Sequence, residues 1–125
     1  MGEQQEAVVR SLLDSLVAGD RDAAVDHFSD KATYNVSAWS DPLVGKDAIR
    51  AELERQAAVY SDLRYTIINV ASTDTVVFTE RLDKILVGGK EVIVHWASVH
   101  EVDPENKITA TRDYYDMNEI ETQLL

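Results

Sequence analysis

Hydrophobic positions in the first half of the chain recur at helical spacing. Over Glu3–Val17, valine and leucine side chains stand three or four positions apart, which predicts an amphipathic helix. Gly19 is expected to end this helix, and Asp20 is placed to cap a short second helix that runs to Phe28. The same spacing returns over Lys46–Tyr60 and predicts a third helix.

Polar and apolar residues alternate in the remaining stretches, as they do in half-buried strands. A first strand is predicted over Phe28–Trp39, where Ser40-Asp41-Pro42 breaks the pattern. Turn-forming residues separate four more predicted strands and a closing helix: Leu63–Val70, Thr75–Val87, Glu91–Val102, Lys107–Asp116 and the helix Met117–Leu124. Helices first and hairpin strands afterwards indicate the α+β class. We expect a single domain over residues 1–125, in which a strongly curved, mostly antiparallel sheet wraps around the N-terminal helices and leaves an interior pocket.

A charged pair lies in the middle of the longest predicted strand. Arg81 and Asp83 are two positions apart, so their side chains share one face of the sheet. Asp113, on the last predicted strand, can meet them if both strands lie in one sheet. Two carboxylates held by one guanidinium favour acid/base chemistry, because one is driven towards the neutral acid while the other stays ionised. The alternative is a structural ion pair, although buried ion pairs stabilise proteins poorly compared with apolar residues.

Strand alternation also predicts which side chains surround Arg81, Asp83 and Asp113. The pocket-facing set is mostly apolar with a few convergent polar groups: Tyr34, Val36, Val77, Thr79, Arg81, Asp83, Ile85, Val92, Val94, Trp96, Ser98, Asp113 and Tyr115. Such a wall is typical of a small-molecule site, and its alternative is an ordinary core with one buried ion pair. His100 shares the parity of Trp96, but we interpret it as a surface or structural residue. Trp39 is expected in the core.

The amino-acid composition limits the kinds of molecule that the protein is expected to bind. Acidic residues outnumber basic ones by 23 to 12, giving a formal net charge of −11, which argues against nucleic acids and anionic membranes. No apolar run approaches the ~20 residues of a membrane span and the N-terminus does not resemble a signal peptide, so a cytoplasmic protein is expected. Cysteine is absent, the histidine spacing predicts no metal site, and no phosphate-binding or dinucleotide-binding motif occurs. We therefore expect neither a metal nor a cofactor.

The opposite face of the predicted sheet is also apolar. Phe78 and Leu82 on one strand, with Ile93, Ala97 and Val99 on the next, point away from the helices. An apolar sheet face that the helices cannot cover usually meets another chain, so a homodimer is predicted.

Three segments carry a family resemblance. Thr79-Glu80-Arg81-Leu82-Asp83, Lys107-Ile108-Thr109 and Arg112-Asp113-Tyr114-Tyr115-Asp116 together resemble the limonene-1,2-epoxide hydrolase family. That family has the cone-shaped nuclear transport factor 2-like fold, which it shares with SnoaL-like polyketide cyclases and ketosteroid isomerases. The resemblance covers the C-terminal half, whereas the helical half shares the element order and the entry into the first strand.

The resemblance implies a role for each polar residue. Arg81 would bridge the two carboxylates, Asp83 would protonate the epoxide oxygen, Asp113 would take a proton from water, and Tyr34 would help to hold that water. The family has an asparagine two residues after this tyrosine. Here that position is Val36, so one ligand of the water is expected to be missing.

Three functions remain open on the sequence alone. The first is a cofactor-independent epoxide hydrolase that adds water in one step to a small apolar or cyclic epoxide. Substrate would then contact Val36, Ile85, Val94, Trp96 and Tyr115. The second is a SnoaL-like isomerase, dehydratase or cyclase that acts on a polyketide or terpenoid, and the third is a non-catalytic small-molecule-binding domain.

Overall fold

The helices of the computed structural model, which describes residues 2–125, match the helical spacing of the sequence. Over this range the helices are α1 (Glu3–Ala18), α2 (Arg21–Asp26), α3 (Lys46–Val59) and α4 (Met117–Gln123). Gly19 ends α1 with a positive φ of 73°, a conformation that glycine adopts without steric cost. Asp20 caps α2 by accepting a hydrogen bond from the backbone N–H of Ala23 at 3.1 Å. The predicted helices are therefore confirmed to within one residue, except that α2 ends at Asp26, two residues before the predicted end at Phe28.

The strands form one mixed sheet. They are β1 (Phe28–Asn35), β2 (Leu43–Val44), β3 (Ser61–Ser72), β4 (Val76–Val87), β5 (Lys90–Val102) and β6 (Ile108–Tyr114), in the spatial order β2-β1-β6-β5-β4-β3. The hairpin succession from β3 to β6 is antiparallel, as predicted. Strand β2 and the parallel pairing of β1 with β6 were not predicted.

The β4–β5 hairpin fixes the register of the site. Its turn contains Gly88 and Gly89, with φ of 57° and 81°, so both residues are left-handed as a two-residue hairpin turn of this kind requires. With this turn, Arg81 lies opposite Trp96 on the neighbouring strand and Asp83 lies opposite Val94. The side chains on this face of β4 are buried and those between them are largely exposed, which confirms the predicted alternation.

Two apolar clusters lie on the concave side of the sheet. The larger contains residues of α1, α2 and α3 packed on the strands: Val9, Leu12, Leu13, Ala24, Val25, Phe28, Ala32, Tyr34, Ile49, Leu53, Val77, Val102 and Ile108. The smaller is built by Ile85, Val92 and Val94 with Ile120 of α4. Helix α4 lies against the part of β5 that β6 does not reach, where the Gln123 side chain hydrogen-bonds the backbone of Ile93.

Strand β1 ends four residues earlier than predicted. The strand stops at Asn35, and a turn follows in which the Ser40 backbone N–H donates to the Ser37 carbonyl oxygen at 3.2 Å. Strand alternation therefore does not extend to Val36, which is half-buried against the larger apolar cluster. Trp39, expected in the core, is 95% exposed, because it lies in this turn and not in a strand.

Candidate active site

A cavity of about 330 Å³ lies between the helices and the concave face of the sheet. Helices α1 and α3 supply much of its apolar wall. Strands β4, β5 and β6 supply six of its polar side chains, and Tyr34 of β1 and Gln56 of α3 also line it. The strand residues that line it are Phe28, Tyr34, Ser61, Asp62, Leu63, Arg81, Asp83, Ile85, Val94, Trp96, Ser98, His100, Thr111 and Asp113. This volume and this mixture of groups are typical of a small-molecule site.

Arg81 and Asp83 form a buried, two-pronged ion pair. Arg81 Nε donates to Asp83 Oδ1 at 3.0 Å and Arg81 Nη2 donates to Asp83 Oδ2 at 2.9 Å. Their side chains are 6% and 7% exposed, so the pair is almost free of solvent screening. This geometry holds the carboxylate in one orientation at the cavity surface.

Ser98 connects the ion pair to the second carboxylate. Arg81 Nη1 donates to Ser98 Oγ at 3.2 Å, and Ser98 Oγ donates to Asp113 Oδ1 at 2.7 Å. The resemblance implied a direct bridge from Arg81 to both carboxylates. Within residues 2–125, the side-chain hydrogen bonds of Arg81 instead go to Asp83 and Ser98, so a serine relay takes the place of that bridge.

Tyr34 holds the other oxygen of Asp113. Its hydroxyl donates to Asp113 Oδ2 at 2.5 Å and accepts from Gln56 Nε2 at 3.1 Å. Gln56 Nε2 also donates to Glu52 Oε2 at 2.8 Å, which orients the amide along α3. Asp113 thus accepts a hydrogen bond on each oxygen, an arrangement that suits the ionised, proton-accepting form.

Burial shifts the pKa values of Asp113 and Tyr34. Desolvation raises the pKa of Asp113, and this is opposed by the hydrogen bonds from Tyr34 and Ser98 and by the charge of Arg81. Desolvation, followed by the charge of Asp113, raises the pKa of Tyr34 well above its ordinary value. The tyrosine therefore keeps its proton and remains a donor to Asp113, while a carboxylate with a raised pKa is a stronger base.

A second pair of polar side chains, His100 and Thr111, lies two residues along the strands from Ser98 and Asp113. His100 pairs with Thr111 across β5 and β6, and both line the cavity while being 3% and 4% exposed. Burial lowers the pKa of His100 to about 3, with contributions from Arg81 and Arg112, so the imidazole is neutral. His100 Nδ1 and Thr111 Oγ1 have no hydrogen-bond partner among residues 2–125. Of the two alternatives expected for His100, a surface or a structural residue, the first is wrong, because the side chain is buried in the cavity wall.

A comparison with protein families identifies the chain. The model of the SnoaL-like domain matches residues 9–111. The chain belongs to the SnoaL-like family. The matched stretch includes Tyr34, Arg81, Asp83 and Ser98, whereas Asp113 lies two residues beyond it.

Solved structures share this SnoaL-like fold along nearly the whole chain. An LEH-like epoxide hydrolase from M. tuberculosis is 24% identical, with a TM-score of 0.82, covering 97% of this chain and 89% of its own. A putative polyketide cyclase from Xanthomonas campestris pv. campestris is 18% identical, with a TM-score of 0.88 and 98% of both chains covered. The epoxide hydrolase/cyclase-like enzyme SalBIII, of pyran ring formation in polyether salinomycin, is 18% identical, with a TM-score of 0.84 and 95% and 97% covered. At these identities the likeness establishes the fold, which is the α+β nuclear transport factor 2-like cone expected from the sequence.

The structure brings most of the predicted site residues of this SnoaL-like protein together. Those that line the cavity are Tyr34, Arg81, Asp83, Ile85, Val94, Trp96 and Asp113. Among the described residues, two that were expected to contact substrate, Val36 and Tyr115, do not line the cavity. Strand alternation also placed Val77, Thr79 and Val92 on the pocket-facing side, and they do not line it either. Val36 packs into the core beyond the end of β1, and Tyr115 stacks on Trp96 with ring centroids 4.0 Å apart but does not line the cavity.

Sequence reasoning missed two features of this hydrogen-bond network. Gln56 lies three positions after Leu53, on the apolar stripe of α3, where a polar residue is itself a signal. Ser98 was placed on the correct face, but alternation alone could not show that it lies opposite Asp113.

The part of the chain that the structure describes contains neither a group of metal-binding side chains nor a helix that could span a membrane. Over residues 2–125, no three histidine, aspartate or glutamate side chains are grouped so as to hold a metal ion. No helix in this range is long and apolar enough to cross a membrane.

Proposed function

We propose that this SnoaL-like protein is a cofactor-independent epoxide hydrolase that adds water in one step to a small, largely apolar epoxide. The observation that carries the proposal is the pair of buried carboxylates with different partners in one cavity. Asp113 accepts hydrogen bonds from Tyr34 and Ser98, whereas Asp83 is fixed by Arg81. We take Asp113 as the base and Asp83 as the acid, as the epoxide hydrolase resemblance implies. Asp83 therefore takes up a proton and gives up one of its two hydrogen bonds from Arg81 before it acts.

The proposed step balances without any other reactant. The water oxygen forms a bond to one epoxide carbon while the bond from that carbon to the epoxide oxygen breaks. Asp113 takes the proton of the water, and a proton carried by Asp83 passes to the epoxide oxygen. One proton then returns from Asp113 to Asp83 before the next turnover. Arg81 stabilises the negative charge that Asp83 acquires as it gives up its proton.

Gln56 supplies the amide that position 36 lacks. Its Nε2 is held by Tyr34 and Glu52, and its Oε1 can accept a hydrogen bond from water in the cavity. We therefore assign the attacking water to the space between Asp113, Tyr34 and Gln56. Ile85, Val94 and Trp96 would contact the apolar body of the substrate.

The reaction in heavy-oxygen water tests the proposal. The purified protein is incubated with terpene and styrene-type epoxides, and the diol is analysed for one labelled oxygen. Asp113→Asn and Asp83→Asn should each lower diol formation by about a hundredfold or more, the usual contribution of an acid or base. Glu80→Gln, on the exposed face of the same strand, is the matched control and should keep full activity. Full activity of either aspartate variant would contradict the proposed roles.

A SnoaL-like isomerase or cyclase is the second candidate. The observation that favours it is Val36, which packs against the larger apolar cluster. The epoxide hydrolase resemblance implies an asparagine at this position, whose amide would help to hold the attacking water. The same carboxylates would then move protons on a polyketide or terpenoid without incorporating water. Rearranged product without the heavy-oxygen label would select this function over hydrolysis.

We also propose that the protein forms a homodimer. A homodimer would cover the apolar outer face of the sheet, where Phe78 is 49% and Ile93 is 42% exposed. The cytoplasmic location expected from the sequence remains a prediction.

A further inference from the structure

Arg21 is a half-buried arginine that lines the cavity. Within residues 2–125 its guanidinium forms neither an ion pair nor a hydrogen bond. Five of the other arginines each pair with an aspartate or a glutamate: Arg50, Arg55, Arg64, Arg81 and Arg112. The remaining one, Arg10, is exposed to solvent on α1. In a chain with 23 acidic residues, a half-buried arginine without a partner stands out, because partly desolvated charges are usually paired.

The acidic neighbours of Arg21 in the sequence are engaged elsewhere. Asp20 accepts the hydrogen bond from Ala23 that caps α2, and Asp22 pairs with Arg50 at 2.8 Å. Arg81, which also lines the cavity, is held by Asp83. Among the described residues that line the cavity, Arg21 is therefore the cation whose charge no acidic side chain neutralises.

The wall around Arg21 is largely apolar. A small hollow adjoins the cavity here, and the residues that line both are Leu16, Gly19, Arg21, Leu53 and Ala57. None of them belongs to the acid–base group described above. Opposite charges attract more strongly beside apolar groups than in open water, because the effective dielectric constant is lower. This wall therefore matches a ligand that has an apolar body and one anionic group.

We propose that Arg21 binds a carboxylate of the substrate, so that the preferred substrate is a small epoxide whose apolar body also carries a carboxylate. The inference rests on the proposed function and names its substrate class. A guanidinium presents N–H donors in a planar fork that matches the two oxygens of a carboxylate. The net charge of −11 disfavours extended polyanions, but a single carboxylate inside the cavity meets this cation at close range.

The experiment compares a monocyclic terpene epoxide that carries a carboxylate with the same epoxide carrying a primary amide, which has nearly the same shape but no charge. Binding of the saturated analogues that lack the epoxide is measured by titration calorimetry, and diol formation is measured for both epoxides. The wild-type protein should bind the acid about tenfold more tightly than the amide, the effect of a charge-assisted contact at a half-buried site. Arg21→Gln should lose most of this preference. Its KM for the acid epoxide should rise while kcat is kept, because Arg21 binds a part of the substrate that does not react.

Arg10→Gln is the matched control. Arg10 likewise has no ion pair within the described residues, but it is exposed on α1 and does not line the cavity. Both substitutions remove one positive charge, so a change in the overall field of the protein affects both variants alike. Arg10→Gln should therefore keep the preference for the acid. Melting temperatures establish that the variants are folded, and Arg21→Met replaces Arg21→Gln should that variant not fold.

The outcomes separate this proposal from the proposed function. Equal binding of the acid and the amide by the wild-type protein overturns the role of Arg21. A preference that survives in Arg21→Gln, or that Arg10→Gln loses to the same extent, also overturns it. A binding preference that depends on Arg21, without diol from either epoxide, supports the carboxylate site and overturns hydrolysis. Diol formation without any preference does the reverse.

Discussion

Ser98 connects the Arg81–Asp83 ion pair to Asp113 by two hydrogen bonds. Its hydroxyl accepts from Arg81 and donates to Asp113, and this second bond lowers the pKa of a carboxyl that burial raises. Ser98→Ala should therefore raise the pKa of Asp113 further. Because the base must be ionised, the acidic limb of the activity profile should move to higher pH, with a loss of roughly tenfold at neutral pH.

The measurement for Ser98 is the pH dependence of kcat/KM for diol formation. Ser98→Thr keeps a hydroxyl at the same position and should restore the wild-type profile. An unchanged acidic limb in Ser98→Ala would show that the serine does not influence the base.

His100 makes the stability of the fold sensitive to acid. Burial lowers the pKa of His100 to about 3, whereas an unfolded histidine titrates near 6.5. Between these values the unfolded chain binds a proton that the folded chain does not, so the free energy of unfolding decreases as pH falls through this range. The contribution is roughly 2–3 kcal/mol at pH 4.5 compared with pH 7.5.

Urea unfolding at the two pH values checks this prediction. His100→Phe removes the titrating group and should show a smaller loss of stability at pH 4.5 than the wild-type protein. Thr79→Val changes another buried polar residue that does not titrate, so it is the control and should respond to pH like wild type. Equal pH responses of wild type and His100→Phe would contradict the prediction.

Helix α3, and not the end of β1, supplies the amide at the proposed water site. Gln56→Leu should lower diol formation by about tenfold, a loss of about 1.4 kcal/mol in transition-state stabilisation. Val36→Asn should bring no gain, because its side chain packs in the core and is not part of the cavity wall. Steady-state kinetics of the two variants on one epoxide, with melting temperatures, give the comparison. A rate increase in Val36→Asn would show that residue 36 reaches the water after all.

Regular elements were the predictable part of this fold. Helical spacing and strand alternation placed Arg81, Asp83 and Asp113 on one face because those rules hold throughout a continuous element. The same rules failed at Val36 and Trp39, where the strand ends and the chain turns. They also could not reveal Gln56, because its contact with Tyr34 depends on how α3 packs over β1.

The outer face of the sheet concerns the whole molecule. Phe78 lies opposite Val99, and Ala97 lies opposite Tyr114, so these four side chains adjoin one another on a face that also carries Glu80 and Arg112. We expect light scattering at micromolar concentration to give the mass of a dimer. Phe78→Glu should shift that mass to the monomer, because a buried charge without a partner disfavours association.

Ile68 is the matched control for the dimer. It is 49% exposed, like Phe78, but lies on the edge strand β3. Ile68→Glu should leave the dimer intact. A monomer mass for the wild-type protein would contradict the predicted homodimer.

The parallel pairing of β1 with β6 determines when the site can come into existence. Tyr34 and Asp113 are separated by 79 positions in the chain, yet one hydrogen bond joins them. The hairpins from β3 to β6 join neighbouring segments, whereas β1 must close a long loop to find its partner strand, which is slow because of the entropy lost. During synthesis the cavity therefore stays incomplete until the last strand has emerged, and a nascent chain has no assembled acid and base with which to meet a substrate.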